Sequence, residues 1–363
     1  LTLMKEYNVA ILGATGAVGT RLIQQLEQSS IPVKQVKLLA SPRSAGTVLQ
    51  FKGQDVTVEA TTPESFDDVD IVLASAGGAA SKQFLPEAVK RGAVAVDNTS
   101  AFRMDPEVPL VVPEVNESAI EQHKGIIANP NCSTIQMVVA LKPILDAAGL
   151  KQIIVSTYQA GSGAGQMAIK ELDHEAQQHL NGEEMTADIF PVKSEAHHYP
   201  LAFNLLPQID VFEPDGSTHE EWKMVHETKK IMLGDMNDPK IKVNATCVRV
   251  PVVIGHGESV YFEVEDNSNL DAHKIQQLIK NGKGLVLEDN PAEQLYPQPI
   301  NAEGHTDTYV GRVRADPENP GAYNLWVVAD NLLKGAAANT VEIAEKLVEH
   351  DLVRVPADYY GKK

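Results

Sequence analysis

Val9-Ala10-Ile11-Leu12-Gly13-Ala14-Thr15-Gly16-Ala17-Val18-Gly19 is the stretch that decides the fold. A continuous apolar run ends in glycines spaced G-x-x-G-x-x-G. An amphipathic stretch follows to Gln28, with Leu22, Ile23 and Leu26 on one face. The run reads as a buried strand and the stretch as a helix. Small residues at such a turn let backbone N–H groups approach a pyrophosphate at the positive end of the helix. Glycines also serve plain tight turns. The place of these three, between a first strand and a first helix, favours dinucleotide binding.

Outward from that turn the pattern repeats. Apolar runs at 36–40, 71–74 and 93–96 alternate with a helical stretch at 82–90, and runs at 109–112 and 126–128 are expected to complete the set. Unbroken Val/Ile/Leu runs between helices indicate a parallel sheet covered on both faces. Beyond residue 132 the style changes. Longer alternating strands at 151–158, 241–251 and 259–265 suit a mostly antiparallel sheet packed by helices on one face, with helices expected at 166–180, 220–233 and 271–281. A final helix is expected at 335–350, with Val341, Ala344, Leu347 and Val348 on its stripe. Residues 190–215 are proline-rich and without period, and read as an irregular excursion at a subunit interface. The class is α/β: a dinucleotide-binding domain over 1–131, then an α+β domain with a mostly antiparallel sheet.

The chain length of 363 residues fits two domains. A net charge of -18 makes nucleic acid and anionic membrane poor partners, since both need a basic footprint. No apolar run is long enough to span a bilayer, and residues 1–6 lack the basic-then-apolar order of a secretory signal. Two cysteines are too few for a disulfide framework and suit a reducing, cytoplasmic compartment.

The second strand should end in an acid if the cofactor is NAD, because a carboxylate there binds the ribose hydroxyls. Instead the sequence runs Ser41-Pro42-Arg43-Ser44. An arginine with serines holds a 2′-phosphate by charge-assisted hydrogen bonds, so NADP is the expected cofactor.

Cys132 lies in Asn129-Pro130-Asn131-Cys132-Ser133-Thr134, just ahead of an apolar stretch. Asn, Ser and Thr mark a helix start, where unpaired N–H groups favour thiolate. Lone cysteines are mostly small buried hydrophobes, and Cys247, in mid-strand, fits that description. A helix terminus supplies only about 0.3–1 kcal/mol, less than about one pKa unit. A second group is needed, and histidine is the usual one. His256, between Gly255 and Gly257 at a strand end, stands out among eleven histidines. Thr218 to Glu221 reads as a capping box, which puts Glu220 and Lys223 on one helix face and leaves Trp222, Val225 and Met232 to face the core. Arg249, within a strand, is expected to be buried and to want an anionic partner. His197 and His198 lack metal-ligand company, and no metal is expected.

These motifs resemble aspartate-β-semialdehyde dehydrogenases of the Gram-positive bacterial type, over nearly the full length. The resemblance rests on residues 13–19, 98–103, 129–134, 159–165 and 220–223, and on Arg249 followed by His256. It implies a Rossmann-type dinucleotide-binding domain and a homodimer or homotetramer. It also implies NADPH-dependent reductive dephosphorylation of L-aspartyl-4-phosphate, through a Cys132 thioester, in lysine, threonine, methionine and diaminopimelate biosynthesis. The implied catalytic residues are Cys132 as nucleophile, His256 as acid/base and Gln159 orienting the substrate. Arg249 would grip the α-carboxylate and Glu220 the amino group. Arg103, Lys223 and Asn131 would bind the acyl phosphate or inorganic phosphate. Cofactor contacts would come from Gly13, Thr15, Gly16, Ala17, Val18, Ser41, Arg43, Ser44, Ser162, Gly163 and Asn331. The last helix would return to the dinucleotide domain, making that domain 1–131 with 332–363 and leaving 132–331 as the catalytic and dimerisation domain. A related acyl-phosphate reductase, such as N-acetylglutamyl-phosphate reductase, and a non-catalytic NADP-binding relative are the rival readings. Glu220 with Lys223 and the Arg249–His256 spacing weigh against the first, and retention of Cys132, Gln159 and His256 against the second.

Overall fold

The computed structural model describes residues 3–362, so residues 1 and 2 of the N-terminal reading lie outside the described residues. The chain divides into two compact units, crossing after Asn131 and again after Gly335. The second crossing falls at 335/336 rather than 331/332. Asp330 explains the difference: its carboxylate accepts from the N–H groups of Leu332 and Leu333, and its carbonyl from Gly335, which ties that segment to the second unit.

The first unit is built on strands β1 (Tyr7–Leu12), β2 (Val33–Ala40), β5 (Glu59–Ala60), β6 (Ile71–Ala74), β7 (Val94–Asp97) and β8 (Ile126–Ala128), with a hairpin of β3 (Val48–Phe51) and β4 (Gln54–Thr57) beside them. The six form one parallel sheet in the order β5-β2-β1-β6-β7-β8. The order reverses direction between β1 and β6, the topological switch point where such sheets bind ligands. Helix Ala17–Gln28 buries Leu22, Ile23 and Leu26, as its period requires. Helix Ala338–Glu349 belongs to this unit and buries Val341, Ala344 and Leu347 in the same core. A π-helical turn, Leu333–Ala337, precedes it, so the expected single helix from 335 begins wider. Residues 109–112 do not form a strand. Leu110 makes only an isolated bridge to Ala128, because Pro109 has no N–H to give and Pro113 already opens a short helix.

The second unit holds β9 (Leu150–Gln159), β10 (Lys242–Arg249), β11 (His256–Val264), β12 (Leu285–Leu287), β13 (Thr308–Ala315) and β14 (Ala322–Ala329). They lie in the order β10-β9-β11-β14-β13-β12. Pairings at the two edges are parallel and those between are antiparallel, giving a mixed, mostly antiparallel sheet. Helices Cys132–Ala148, His219–Leu233 and Ala272–Lys280 cover one face. Every residue from Ser133 to Leu141 is buried, which makes the helix after Cys132 a central pillar and not an amphipathic surface helix. The 219–233 helix buries Glu220, Met224, Thr228 and Ile231 instead of the expected Trp222, Val225 and Met232. Trp222 stays half-buried between the rings of His219 and His226. Residues 190–215 are irregular as expected, and Phe190, Leu201, Ala202 and Leu206 pack them onto Ala168 and Leu172 of helix Gln166–Leu180.

Candidate active site

In the first unit, β1 runs into a turn that only glycine permits. Gly13 has φ +86°, and a Cβ there would stand 2.3 Å from the carbonyl oxygen of Ser75 beyond β6. A Cβ on Gly19 would stand 1.9 Å from the Gly13 carbonyl oxygen. Strand ends and helix therefore close up at the switch point. Gly16 is the helix N-cap and offers no side-chain cap, so the first-turn N–H groups of Ala17 and Val18 have no capping side chain, while the Gly16 N–H donates to the Gly13 carbonyl at 3.2 Å. Such a cradle fits a dinucleotide pyrophosphate. At the end of β2, Pro42–Ser44 forms a 3₁₀ turn with Ser41 and Arg43 exposed, and no carboxylate occupies it.

The same unit contains Arg103, held nearly buried. Its Nε donates to the Asn129 carbonyl at 2.8 Å and an Nη to that of Asn98 at 2.9 Å. Asn98, Asn129 and Asn339 are joined by amide hydrogen bonds. Asn131, also buried, ends the unit.

The second unit gathers Cys132 and its neighbours. Cys132 is the first residue of its helix, and its Sγ lies 3.2 Å from His256 Nε2. Gly335 packs against it, with a hypothetical Cβ only 2.9 Å from that of Cys132. His256 opens β11 and is fully buried, not the solvated loop histidine its glycine setting suggests. Burial first, then the Arg249 charge, pushes its ring well below the usual imidazole range. The flanking glycines are steric necessities: a Cβ on Gly255 would meet Pro299 at 2.8 Å, and one on Gly257 the Trp326 ring at 2.5 Å. Gln136 from the pillar helix donates to the carbonyls of His256 and Val327, fixing the start of β11.

Arg249 ends β10 opposite Gln159, its register partner at the end of β9. It is buried, its Nη1 donates to the Ala160 carbonyl at 2.8 Å, and the Glu220 charge acts on it. Gln159 is buried and accepts from Thr157 at 2.9 Å. The glycine loop after β9 passes over the pair: a Cβ on Gly163 would stand 3.0 Å from Arg249 Nη1 and 3.8 Å from His256 Nε2. Asn331 tethers that loop, its amide donating to Ser162 Oγ at 3.0 Å while its oxygen accepts from Gly255 N at 2.9 Å. Glu220 sits in the first turn and Lys223 one turn on, behind a complete capping box of Thr218 and Glu221. Cys247 is buried, and burial pushes its thiol far up, away from thiolate chemistry.

Some residues were missed in the sequence. Lys223 pairs at 3.1 Å with Asp210 of the 190–215 excursion, and the excursion also bridges to the Arg249 backbone through Leu206. An aperiodic segment gives no sign of such a docking. Glu258 is different. Period two places it on the face of Val260, Phe262 and Val264, so its burial was readable. Neither of its carboxylate oxygens has a hydrogen-bond partner. Burial, then the Glu220 charge, raises its carboxyl well above the carboxylate range.

The second unit sets a thiol beside a buried histidine with an arginine against the same loop, and the first unit carries a dinucleotide cradle, features that fit a dinucleotide-dependent dehydrogenase. Residues 8–123 match the family model "Semialdehyde dehydrogenase, NAD binding domain", and residues 141–334 match "Semialdehyde dehydrogenase, dimerisation domain". The aspartate-semialdehyde dehydrogenase of Bacillus subtilis is 54% identical over 95% of this chain and 99% of its own. That of Aquifex aeolicus is 51% identical over 96% and 99%. A crystal structure of aspartate semialdehyde dehydrogenase II from Vibrio cholerae, complexed with ASA, superposes with a TM-score of 0.89 at 46% identity, over 95% of this chain and 99% of its own. The chain belongs to the aspartate-semialdehyde dehydrogenase family.

Proposed function

We propose that this enzyme reduces L-aspartyl-4-phosphate to L-aspartate 4-semialdehyde with NADPH, through a thioester on Cys132, on the route to lysine, threonine, methionine and diaminopimelate. The observation that carries the reading is the 3.2 Å approach of Cys132 Sγ to His256 Nε2 under a loop that also touches Arg249.

Cys132 attacks the acyl carbon and phosphate leaves, which divides one hard step into two easier ones. Bound NADPH supplies the hydride that reduces the thioester. Arg249 grips the substrate α-carboxylate and Glu220 its ammonium, while Gln159 orients the acyl group. Arg103, Lys223 and Asn131 hold the phosphate, and Lys223 exchanges Asp210 for it. Local cations are needed because the net charge of -18 repels anions at long range. The residues that hold the cofactor are Gly13, Thr15, Gly16, Ala17, Val18, Ser41, Arg43 and Ser44, with Ser162, Gly163 and Asn331 from the second unit. Arg43, with no acid beside it, selects NADP over NAD. The dimerisation-domain match supports a homodimer, or a homotetramer built from it. Among the described residues no helix is long and apolar enough to cross a membrane. The two unpaired cysteines suit a reducing compartment, and on that ground the enzyme is placed in the cytoplasm.

The test is reduction of NADP by aspartate semialdehyde with and without inorganic phosphate. Turnover should require phosphate and should nearly vanish in Cys132→Ser, with NADPH binding retained. Normal turnover by Cys132→Ser would overturn the covalent route.

A further inference from the structure

Two main-chain carbonyls hold the guanidinium of Arg103. Its Nε donates to the Asn129 carbonyl and an Nη to that of Asn98. A guanidinium carries five N–H groups in one rigid plane. Fastening Nε and one Nη therefore fixes the directions in which the other N–H groups project. The aim of Arg103 is only as good as the placement of those two carbonyls. Asp97, the buried acid whose charge interacts with Arg103, spends its oxygens on Ser81 and Thr99.

Both carbonyls lie just past the parallel sheet, since Asn98 follows β7 and Asn129 follows β8. Their N–H groups donate across to neighbouring strand ends, Asn98 to Ala74 O at 2.8 Å and Asn129 to Asp97 O at 2.7 Å. Beyond those bonds, a chain of side-chain amides does the placing. Asn339 Nδ2 donates to Asn129 Oδ1 at 2.6 Å, Asn129 Nδ2 to Asn98 Oδ1 at 2.8 Å, and Asn98 Nδ2 to Ser75 Oγ at 3.3 Å. Asn339 Nδ2 also donates to Val111 O at 3.1 Å. Every link points the same way, from the second residue of helix Ala338–Glu349 to the end of β6, so each bond polarises the next. Asn129 and Asn339 are fully buried, and Asn339 follows three alanines, Ala336 to Ala338. Buried amides are costly unless every partner is in place, and apolar side chains would fill the same space without that condition. A line of three that ends on the two residues whose carbonyls hold Arg103 points to geometry rather than packing.

We propose that Asn339 is a positioning residue for Arg103: acting through Asn129 and Asn98, it fixes the two carbonyls that aim the guanidinium at the phosphate. The inference rests on the reading of Arg103 as a phosphate ligand. The last helix of the chain thereby bears on phosphate use through a line of amides.

Kinetics of the full-length enzyme in the direction that consumes phosphate test this, with inorganic phosphate as the varied substrate. Asn339→Ala should lower kcat/KM for phosphate about tenfold, since a small misplacement of a binding group can cost up to about 100-fold. The burst of NADPH formed from aspartate semialdehyde and NADP without phosphate should stay within about twofold of wild type, because that step does not use Arg103. Asn98→Ala breaks the chain at its half-buried end and leaves the last helix intact, so it gives the same test if Asn339→Ala fails to fold. In an Arg103→Ala background either substitution should add less than about twofold, because nothing is left for the chain to aim. Losses that multiply with that of Arg103→Ala, or a burst slowed as much as phosphate use, would overturn the proposal. Failure of the underlying reading would show separately, as an Arg103→Ala enzyme whose kcat/KM for phosphate equals that of wild type.

Discussion

At the residue scale, Arg43 makes the cofactor choice testable. It is exposed at the end of β2, where a carboxylate would favour NAD. A charge-assisted hydrogen bond contributes about 1.5–3 kcal/mol. Arg43→Ala should therefore lower kcat/KM for NADPH about 10- to 100-fold and leave the value for NADH almost unchanged. Equal losses with the two cofactors would remove Arg43 from the 2′-phosphate site. Glu258 gives a pH prediction. Buried without a partner on either oxygen, it holds its proton more tightly in the fold than in the unfolded chain. Its contribution is therefore complete below the ordinary glutamate value of about 4.3 and is lost as pH climbs toward the folded value. Glu258→Gln should flatten that dependence, so that between about pH 5 and about pH 9 its Tm falls less than that of wild type. Asp97 and Glu175, whose carboxyls are also raised mainly by burial, contribute equally to both proteins. An identical slope in the two would show Glu258 ionised in the fold.

At the element scale, the 219–233 helix joins stability to the proposed phosphate binding. Its capping box satisfies two end N–H groups, and the second carboxylate oxygen of Glu221 accepts from Cys247 N in β10 at 2.9 Å. Thr218→Ala should cost about 1 kcal/mol, and differential scanning calorimetry should show Tm lower by about 2–4 °C. Glu220 and Lys223 leave from the first two turns, so KM for phosphate in the reverse direction should rise with it. An unchanged Tm would mean that the Glu221 bridge alone fixes the helix. Elements with strong local signals were legible: the first parallel strands, the glycine turn, this capping box and the last helix all lie within a few residues of expectation. Where a proline or a neighbouring segment overrides periodicity, they were not. The 109–112 run is apolar enough for a strand, but Pro109 and Pro113 deny it a ladder. The 219–233 helix turns Glu220, not Trp222, inward, because the inward face is set by what charge it meets and not by hydrophobicity alone.

For the whole molecule, two units of different sheet type supply different chemistry: a parallel sheet whose switch point fits a dinucleotide, and a mixed sheet whose β9, β10 and β11 ends converge on Cys132. The sequence names the residues of that convergence through family spacing. It does not show the contacts around them, because Gln136 on His256 and Gly335 against Cys132 join segments far apart in the chain, and Asp210 reaches Lys223 from an aperiodic segment. The proposed covalent route is tested most directly by mass spectrometry of the intact enzyme incubated with aspartate semialdehyde and NADP in the absence of phosphate, which withholds the acceptor that would clear the acyl group. One β-aspartyl group should appear per chain, on the peptide that contains Cys132, and none on Cys132→Ser. Active enzyme with Cys132 unmodified, or the group on another residue, would contradict a thioester at this cysteine.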